Sequence, residues 1–312
     1  MPDLTFIGGG TSYFFDPYTQ QNEKISWKLS ELAIRGLPMT FSRCDMNGFD
    51  HSVSGMGEGL FLKMSAVKAF AEAWERLWMM RVGTENVLPD FKIRSSNGFA
   101  SGVSLEDARN RAKAELIERA AMLEAWAKQK GWRPIKTEGF LVKILNYCFF
   151  SAGWSSNYYQ IAIDNGGFVL CGLLRNKEKG ALFDCCYFNN RRHRRDSFIK
   201  LIRSLAKSIA LNRVIKTNKN WSLPEFGSPE DHSIYYSNPK NLDAFIFLDE
   251  ASDDKYNDIK IRLPNLDKIA LFNVIGVSSF PAVAVSFNES WPELTWGKQS
   301  ITRANPWPHP LA

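Results

Sequence analysis

The 312-residue chain is 45% hydrophobic and 23% charged, which excludes collagen-like, fibrous and wholly disordered classes and allows one large core or two modest ones. Its 39 Lys+Arg against 33 Asp+Glu give a net charge of +6, favouring anionic partners such as nucleotides without marking a nucleic-acid surface. The N-terminal run Met1-Pro2-Asp3-Leu4-Thr5-Phe6-Ile7 lacks the basic start and long apolar core of a signal peptide. The most apolar stretch, from Ile269 to Phe287, is broken by Asn273, serines and Pro281, so it predicts two strands rather than a membrane span. Five cysteines (Cys44, Cys148, Cys171, Cys185, Cys186) are odd in number and without Cys-x-x-Cys spacing, as expected of reduced thiols in a cytoplasmic protein.

In chain order, a short apolar strand leads into Gly8-Gly9-Gly10-Thr11-Ser12, a candidate phosphate contact that lacks the P-loop lysine. Helices are predicted over 24–35, 62–81, 105–130 and 196–216, the third opened by the cap signal Ser104…Asp107. Strands are predicted at 158–163, 168–174 and 181–188, the first two joined by the hairpin signal Asn165-Gly166. Further strands are expected at 244–248, 271–277 and 282–287, and a polar loop at 217–239. The fold class is therefore α/β (α+β), with mixed helices and antiparallel strands. Arg191-Arg192-His193-Arg194-Arg195 reads as a solvated basic loop or a contact for phosphates or an acidic partner.

The most informative feature is an internal repeat at an offset of 43 residues. Gly55 and Gly59, then Glu72, Glu75 and Arg76, recur as Gly98 and Gly102, then Glu115, Glu118 and Arg119, both copies reading Gly-x3-Gly-x12-Glu-x2-Glu-Arg. Glutamates at i and i+3 share a helix face, so each helix offers two neighbouring carboxylates. Most positions around them are apolar (Met64, Phe70, Trp74 and Leu77; Leu116, Ile117, Leu123 and Trp126), so both helices are expected to be substantially buried. Four carboxylates in one site repel unless cations or protons intervene, and hard oxygen ligands select Mg²⁺ or Ca²⁺. Glycine-bearing turns ahead of the helices are expected to let backbone approach a ligand.

Gly55-Met56-Gly57-Glu58-Gly59, Ser65-Ala66 and Glu72-Ala73-x-Glu75-Arg76 resemble the first motif of the YcaO family. Ser96-Asn97-Gly98-Phe99-Ala100-Ser101-Gly102, with Glu106-Asp107-Ala108 and Glu115-x-x-Glu118-Arg119, resembles its second. The ending Pro306-Trp307-Pro308-His309-Pro310-Leu311-Ala312 is similar to the tail of the family's azoline-forming members. The resemblance implies a YcaO-type fold, with mixed sheets and helices around a central nucleotide site, as a single domain over 1–312 with a tail at 306–312. It implies ATP and Mg²⁺, with Glu72, Glu75, Glu115 and Glu118 as metal-site residues, Arg76 and Arg119 on phosphates, and Ser96 and Asn97 beside the nucleotide. It implies cyclodehydration of Cys, Ser or Thr in a ribosomally made peptide, with the stiff tail entering the active site and Pro310 and Ala312 as catalytic candidates.

The chain departs from the pattern at Met56, where a lysine is common, at Ala120, where an aspartate is common, and at Lys207 and Ser208, where an acidic residue is usual. The motifs occupy most of the chain, so the resemblance implies a precursor peptide bound through a separate leader-peptide-binding (E1-like) protein, with an azoline dehydrogenase as a further partner. No nucleic acid or membrane is expected, and a homodimer stays open. Thioamide or amidine formation by the same ATP chemistry, and a non-catalytic scaffold subunit, are the alternatives.

Overall fold

A computed structural model describes residues 4–32, 37–85, 97–137, 139–164, 166–189, 194–214, 229–250, 259–265, 268–275, 281–292 and 305–311. The chain divides into two compact units, Met1–Leu116 with Lys268–Asn288, and Ile117–Asp267 with Glu289–Ala312. No helix among the described residues is long and apolar enough to cross a membrane.

The first unit opens with an antiparallel meander of β1 (Leu4–Asp16), β2 (Gln21–Leu32), β3 (Thr40–Gly48) and β4 (His51–Gly59). Strand β2 replaces the helix expected over 24–35, of which residues 33–35 lie outside the described residues. Ile25, Trp27 and Leu29 alternate with Ser26, Lys28 and Ser30, a period of two that puts Ile25 in the core and leaves Lys28 exposed. The Gly8–Ser12 run is not a phosphate loop but part of the β1 ladder, Gly8 opposite Leu29 and Ser12 opposite Ile25. At the hairpin turn Asp16 accepts from Tyr18 N–H at 2.9 Å, and buried Arg81 donates to its other oxygen at 2.7 Å.

Helix α1 (Leu62–Glu85) lies on this sheet, and the glycines of the first motif explain how closely. They form no turn. Gly55, Gly57 and Gly59 share one face of β4, where a Cβ would stand 2.3 Å from Ala73 N, 2.0 Å from the Ser65 carbonyl oxygen and 2.8 Å from Met64 Cβ. The second motif repeats the arrangement with β5 (Phe99–Gly102) and α2 (Leu105–Lys128). A Cβ on Gly59 would meet Ser65 N, and one on Gly102 would meet Ala108 N, the same contact 43 residues on. Gly98 holds φ +73° with the Ser286 carbonyl 2.4 Å from a would-be Cβ, so it needs glycine for conformation as well as space. As expected, Ser104 caps α2, its Oγ accepting from Asp107 N–H at 3.1 Å.

Strand β5 pairs with β12 (Ala282–Phe287), which pairs with β11 (Ala270–Ile275), matching the two late strands expected from the sequence. The unit's core is aromatic: Phe14, Trp74 and Trp78 meet edge to face at centroid distances of 5.5 to 5.8 Å.

The second unit carries a sheet of β6 (Trp132–Pro134), β7 (Ser155–Ile163), β8 (Phe168–Asn176), β9 (Gly180–Phe188) and β10 (Lys260–Ile261), ordered β10-β7-β8-β9 with β6 also on β7. The expected antiparallel run β7-β8-β9 is present, and Gly166 takes φ +89° at the first hairpin; Asn165 lies outside the described residues. Helix α4 (Arg194–Val214) agrees with the fourth expected helix, α3 (Phe140–Ser151) carries no sequence expectation, and α5 (Pro229–Tyr236) replaces part of the loop expected over 217–239. The rest of the polar loop, 217–228, and Arg191–His193 of the basic run lie outside the described residues. The strand expected over 244–248 is instead a 3-10 turn, Pro239–Phe245, running into α6 (Ile246–Asp249). Asn238 starts it by accepting from Lys240 N–H, and Pro239 stands at the first turn, where its missing N–H costs nothing.

If the glycines of β4 are there for strand–helix contact, Gly57→Ala should destabilise the protein by about 3 kcal/mol through overpacking against helix backbone. Gly8→Ala, which meets no atom within 4 Å, should change it by less than about 0.5 kcal/mol. Denaturant titration of the two variants checks this.

Candidate functional site

The close strand–helix packing fixes where the glutamates of α1 point. Glu72 accepts from Met56 N–H of β4 at 3.2 Å and from Arg76 at 2.9 Å, and Arg76 also donates to the Ser54 carbonyl at 2.9 Å. Glu75, one turn on, accepts from Ser101 N–H of β5 at 2.7 Å. The first pair is thus braced by the strands of both repeats. Burial pushes the Glu75 carboxyl up to about 7; the Ser101 N–H opposes the shift, and the neighbouring Glu72 charge adds to it.

On α2, Glu115 is half-buried in the first unit and Glu118 is buried in the second. Glu118 accepts from Tyr187 N–H of β9 at 2.8 Å. Its carboxyl is raised by burial against the pull of Lys200 and Arg119, with Asp184 adding to the rise. The Arg119 guanidinium stands 4.0 Å away. The matched glutamates Glu75 and Glu118 therefore share two properties, a carboxyl raised by desolvation and a strand N–H bonded to one oxygen, although Glu118 is buried and Glu75 half-buried. Asn97 is buried beside Gly98, and Ser96 lies outside the described residues.

Two neighbours of Glu118 were missed in the sequence. Asp184 is the one charged residue of β9, held by Cys185 N–H at 2.7 Å and by the Ser204 hydroxyl. A lone acid in an apolar strand was the signal for it. Lys200, on α4, brings a cation to Glu118 from two turns ahead of Lys207 and Ser208. Ser208 turns its hydroxyl back onto the Ser204 carbonyl at 3.2 Å. The five cysteines are free, and burial pushes the Cys44 and Cys186 thiols up to about 12. In the tail, Pro308 to Leu311 are buried, with Pro310 among them, and Ala312 lies outside the described residues. A cavity of about 500 Å³ in the second unit, lined by Lys136, Asn146, Ser156, Tyr158 and Asp249 among others, contains none of the nominated residues.

Among the described residues no three His, Cys, Asp or Glu side chains converge at metal-holding distance. The family profile "YcaO cyclodehydratase, ATP-ad Mg2+-binding" matches residues 83–265, which include the second glutamate pair and exclude the first pair and the tail. The chain belongs to the YcaO family. The fold agrees: YcaO from Methanopyrus kandleri, solved with AMPPCP and Mg²⁺, is similar at a TM-score of 0.52 and 10% identity over 91% of this chain and 85% of that one. A chain of the E. coli microcin synthetase McbBCD complex is similar at a TM-score of 0.58 and 14% identity, over 85% of this chain and 88% of that one. No curated protein sequence matches the chain. The family's cofactors are ATP and Mg²⁺. The acidic oxygen donors of the repeat suit a hard divalent ion, and Glu75 and Glu118 are desolvated carboxylates whose charge a cation would stabilise.

A carboxyl raised in the fold is more protonated there than in the unfolded chain, so Glu75 costs stability as pH rises from its ordinary range through about 7. In chelator, Glu75→Gln should melt a few degrees above wild type at pH 8, and the gap should close at pH 5. Thermal unfolding at the two pH values measures it.

Proposed function

We propose that the chain is an ATP-dependent enzyme that cyclodehydrates Cys, Ser or Thr residues of a ribosomally made peptide to thiazolines or oxazolines. The observation that carries this reading is the desolvated carboxylate held by a strand N–H at the matched position of each repeat, Glu75 and Glu118, in a member of an ATP- and Mg²⁺-binding family. Glu72, Glu75, Glu115 and Glu118 are the residues that would hold the metal, Arg76 and Arg119 would take phosphates, and Ser96 and Asn97 would border the nucleotide. Bound Mg-ATP supplies the phosphoryl group and neutralises its charge.

In the reaction the substrate's thiol or hydroxyl forms a bond to the preceding carbonyl carbon, and its proton goes to solvent. The carbonyl oxygen takes the γ-phosphoryl group and departs as phosphate. Loss of the amide N–H proton completes the C=N bond, so the peptide loses one water and ATP becomes ADP and phosphate. An amide oxygen is a poor leaving group, and its phosphorylation is what makes departure feasible. The chain's own contribution is positioning and fixed charge: glutamates braced by strand N–H groups, and arginines beside them.

The tail, with Pro310 and Ala312, orients the substrate. The peptide is delivered by a separate leader-peptide-binding protein, and an azoline dehydrogenase can follow. The McbBCD relative is itself a complex, and it has been solved with pro-MccB17 bound.

Deleting residues 306–312 should abolish turnover and leave the affinity for Mg-AMPPCP within about twofold. The reaction is read by mass spectrometry of a candidate precursor peptide incubated with the chain, partner protein and Mg-ATP. A loss of one water per modified residue, present in wild type and absent in the truncation, is expected. An exchange of oxygen for sulfur, or full turnover by the truncated chain, would contradict the reading.

A further inference from the structure

The C-terminal tail is short of hydrogen-bond donors. Pro306, Pro308 and Pro310 remove every second N–H, so its backbone offers mainly carbonyls and cannot join a ladder. The fold answers with side-chain donors. The Trp126 indole N–H of α2 donates to the Trp307 carbonyl at 3.2 Å. The Tyr236 hydroxyl of α5 donates to the Pro308 carbonyl. Nδ1 of His232, also on α5, is 2.8 Å from the His309 carbonyl. A carbonyl can only accept, so His232 carries its proton on Nδ1. Three consecutive carbonyls are each taken by a different ring.

The register is fixed as well as the position. Asn305, fully buried, donates to the Trp126 carbonyl at 2.9 Å and accepts from Trp307 N–H at 3.1 Å, tying the start of the tail to the same tryptophan. The His309 ring packs on His232 at a centroid distance of 4.6 Å, and Leu311 is buried. The rings of Trp126 and Phe245 back Tyr236 at 6.5 and 5.1 Å. Burial pushes the Tyr236 hydroxyl well up, helped by Tyr235, so it remains a donor across the working pH range. A slip of one residue would trade His309 for proline against His232 and bring exposed Pro306 toward the buried positions.

We propose that Trp126, Tyr236 and His232 form a carbonyl clamp that sets the register of the tail, making Tyr236 and His232 positioning residues for the reaction at its end. The positioning role rests on the cyclodehydratase reading given above; the clamp itself does not. Because α2 carries Glu118 as well as Trp126, one helix bears both a carboxylate of the site and the first donor of the clamp.

The test uses the full chain in four forms: wild type, Tyr236→Phe, His232→Leu and His232→Asn, the last keeping an N–H close to the place of Nδ1. Amide hydrogen exchange at Trp307, His309 and Leu311, with trimming by carboxypeptidase, reads the clamp. Peptide turnover with kcat and the KM for ATP taken separately reads positioning. Y236F and H232L should exchange these amides at least tenfold faster and lose kcat at least tenfold, with KM for ATP and Mg-AMPPCP affinity within twofold; H232N should stay near wild type. Unchanged exchange in Y236F and H232L would overturn the clamp. Faster exchange with unchanged kcat would overturn the positioning role and the tail's part in catalysis while leaving the nucleotide site untouched. Should H232L fail to fold, Y236F, which deletes a single oxygen, decides by the same readings.

Discussion

A carboxylate removed from water is costly unless its charge is offset, and the fold of this chain holds two such groups, Glu75 and Glu118, at matched positions. Glu75 and Glu118 each sit on the buried side of a long helix, and each has one oxygen bonded to a strand N–H. That bond offsets part of the desolvation, yet both carboxyls remain raised, so the hydrogen bond alone does not balance the burial. A divalent ion would supply the missing charge. The helices could not hold these side chains so deep if a strand did not lie against each helix backbone, and that approach depends on glycines lacking Cβ atoms. The site chemistry and the glycine pattern are thus one constraint seen at two scales.

The repeat is a strand–helix unit used twice. In both copies the last glycine of the strand abuts the same helix N–H, and the glutamates follow at the same spacing. The copies differ in what braces them: α1 takes its N–H bonds from β4 and β5, whereas Glu118 takes its own from β9. The surroundings have diverged accordingly. Arg76 is tied to Glu72 and to the strand carbonyl of Ser54, while the carboxylate of Glu118 is stabilised by both Arg119 and Lys200 and opposed by Asp184.

Much of this was legible in the sequence because it is local. Helices α1 and α2, the antiparallel run β7-β8-β9 and the glutamate pairs follow from periodicity, caps and spacing. The glycines were read correctly as sites of close approach, but the approaching group is helix backbone rather than a ligand, and the elements are strands rather than turns. Nothing local separates these cases, since both need the missing Cβ. Over 24–35 the alternation of Ile25, Trp27 and Leu29 competed with helix-forming Lys24, Lys28 and Glu31, and the sheet prevailed because β1 and β3 flank it. Asp184, Lys200 and the ring donors to the tail were out of reach for a different reason. Each acts across dozens of residues of sequence, and a lone acid or tyrosine does not announce its partner.

The central proposal is that the glutamates of the two repeats bind a nucleotide through a divalent cation. Calorimetric titration of AMPPCP into the full chain, with and without Mg²⁺, tests it most directly when wild type is compared with Glu75→Gln and Glu118→Gln. The account predicts binding that requires Mg²⁺ and that each substitution weakens at least tenfold. Binding of equal strength in chelator, unchanged by either substitution, would contradict it.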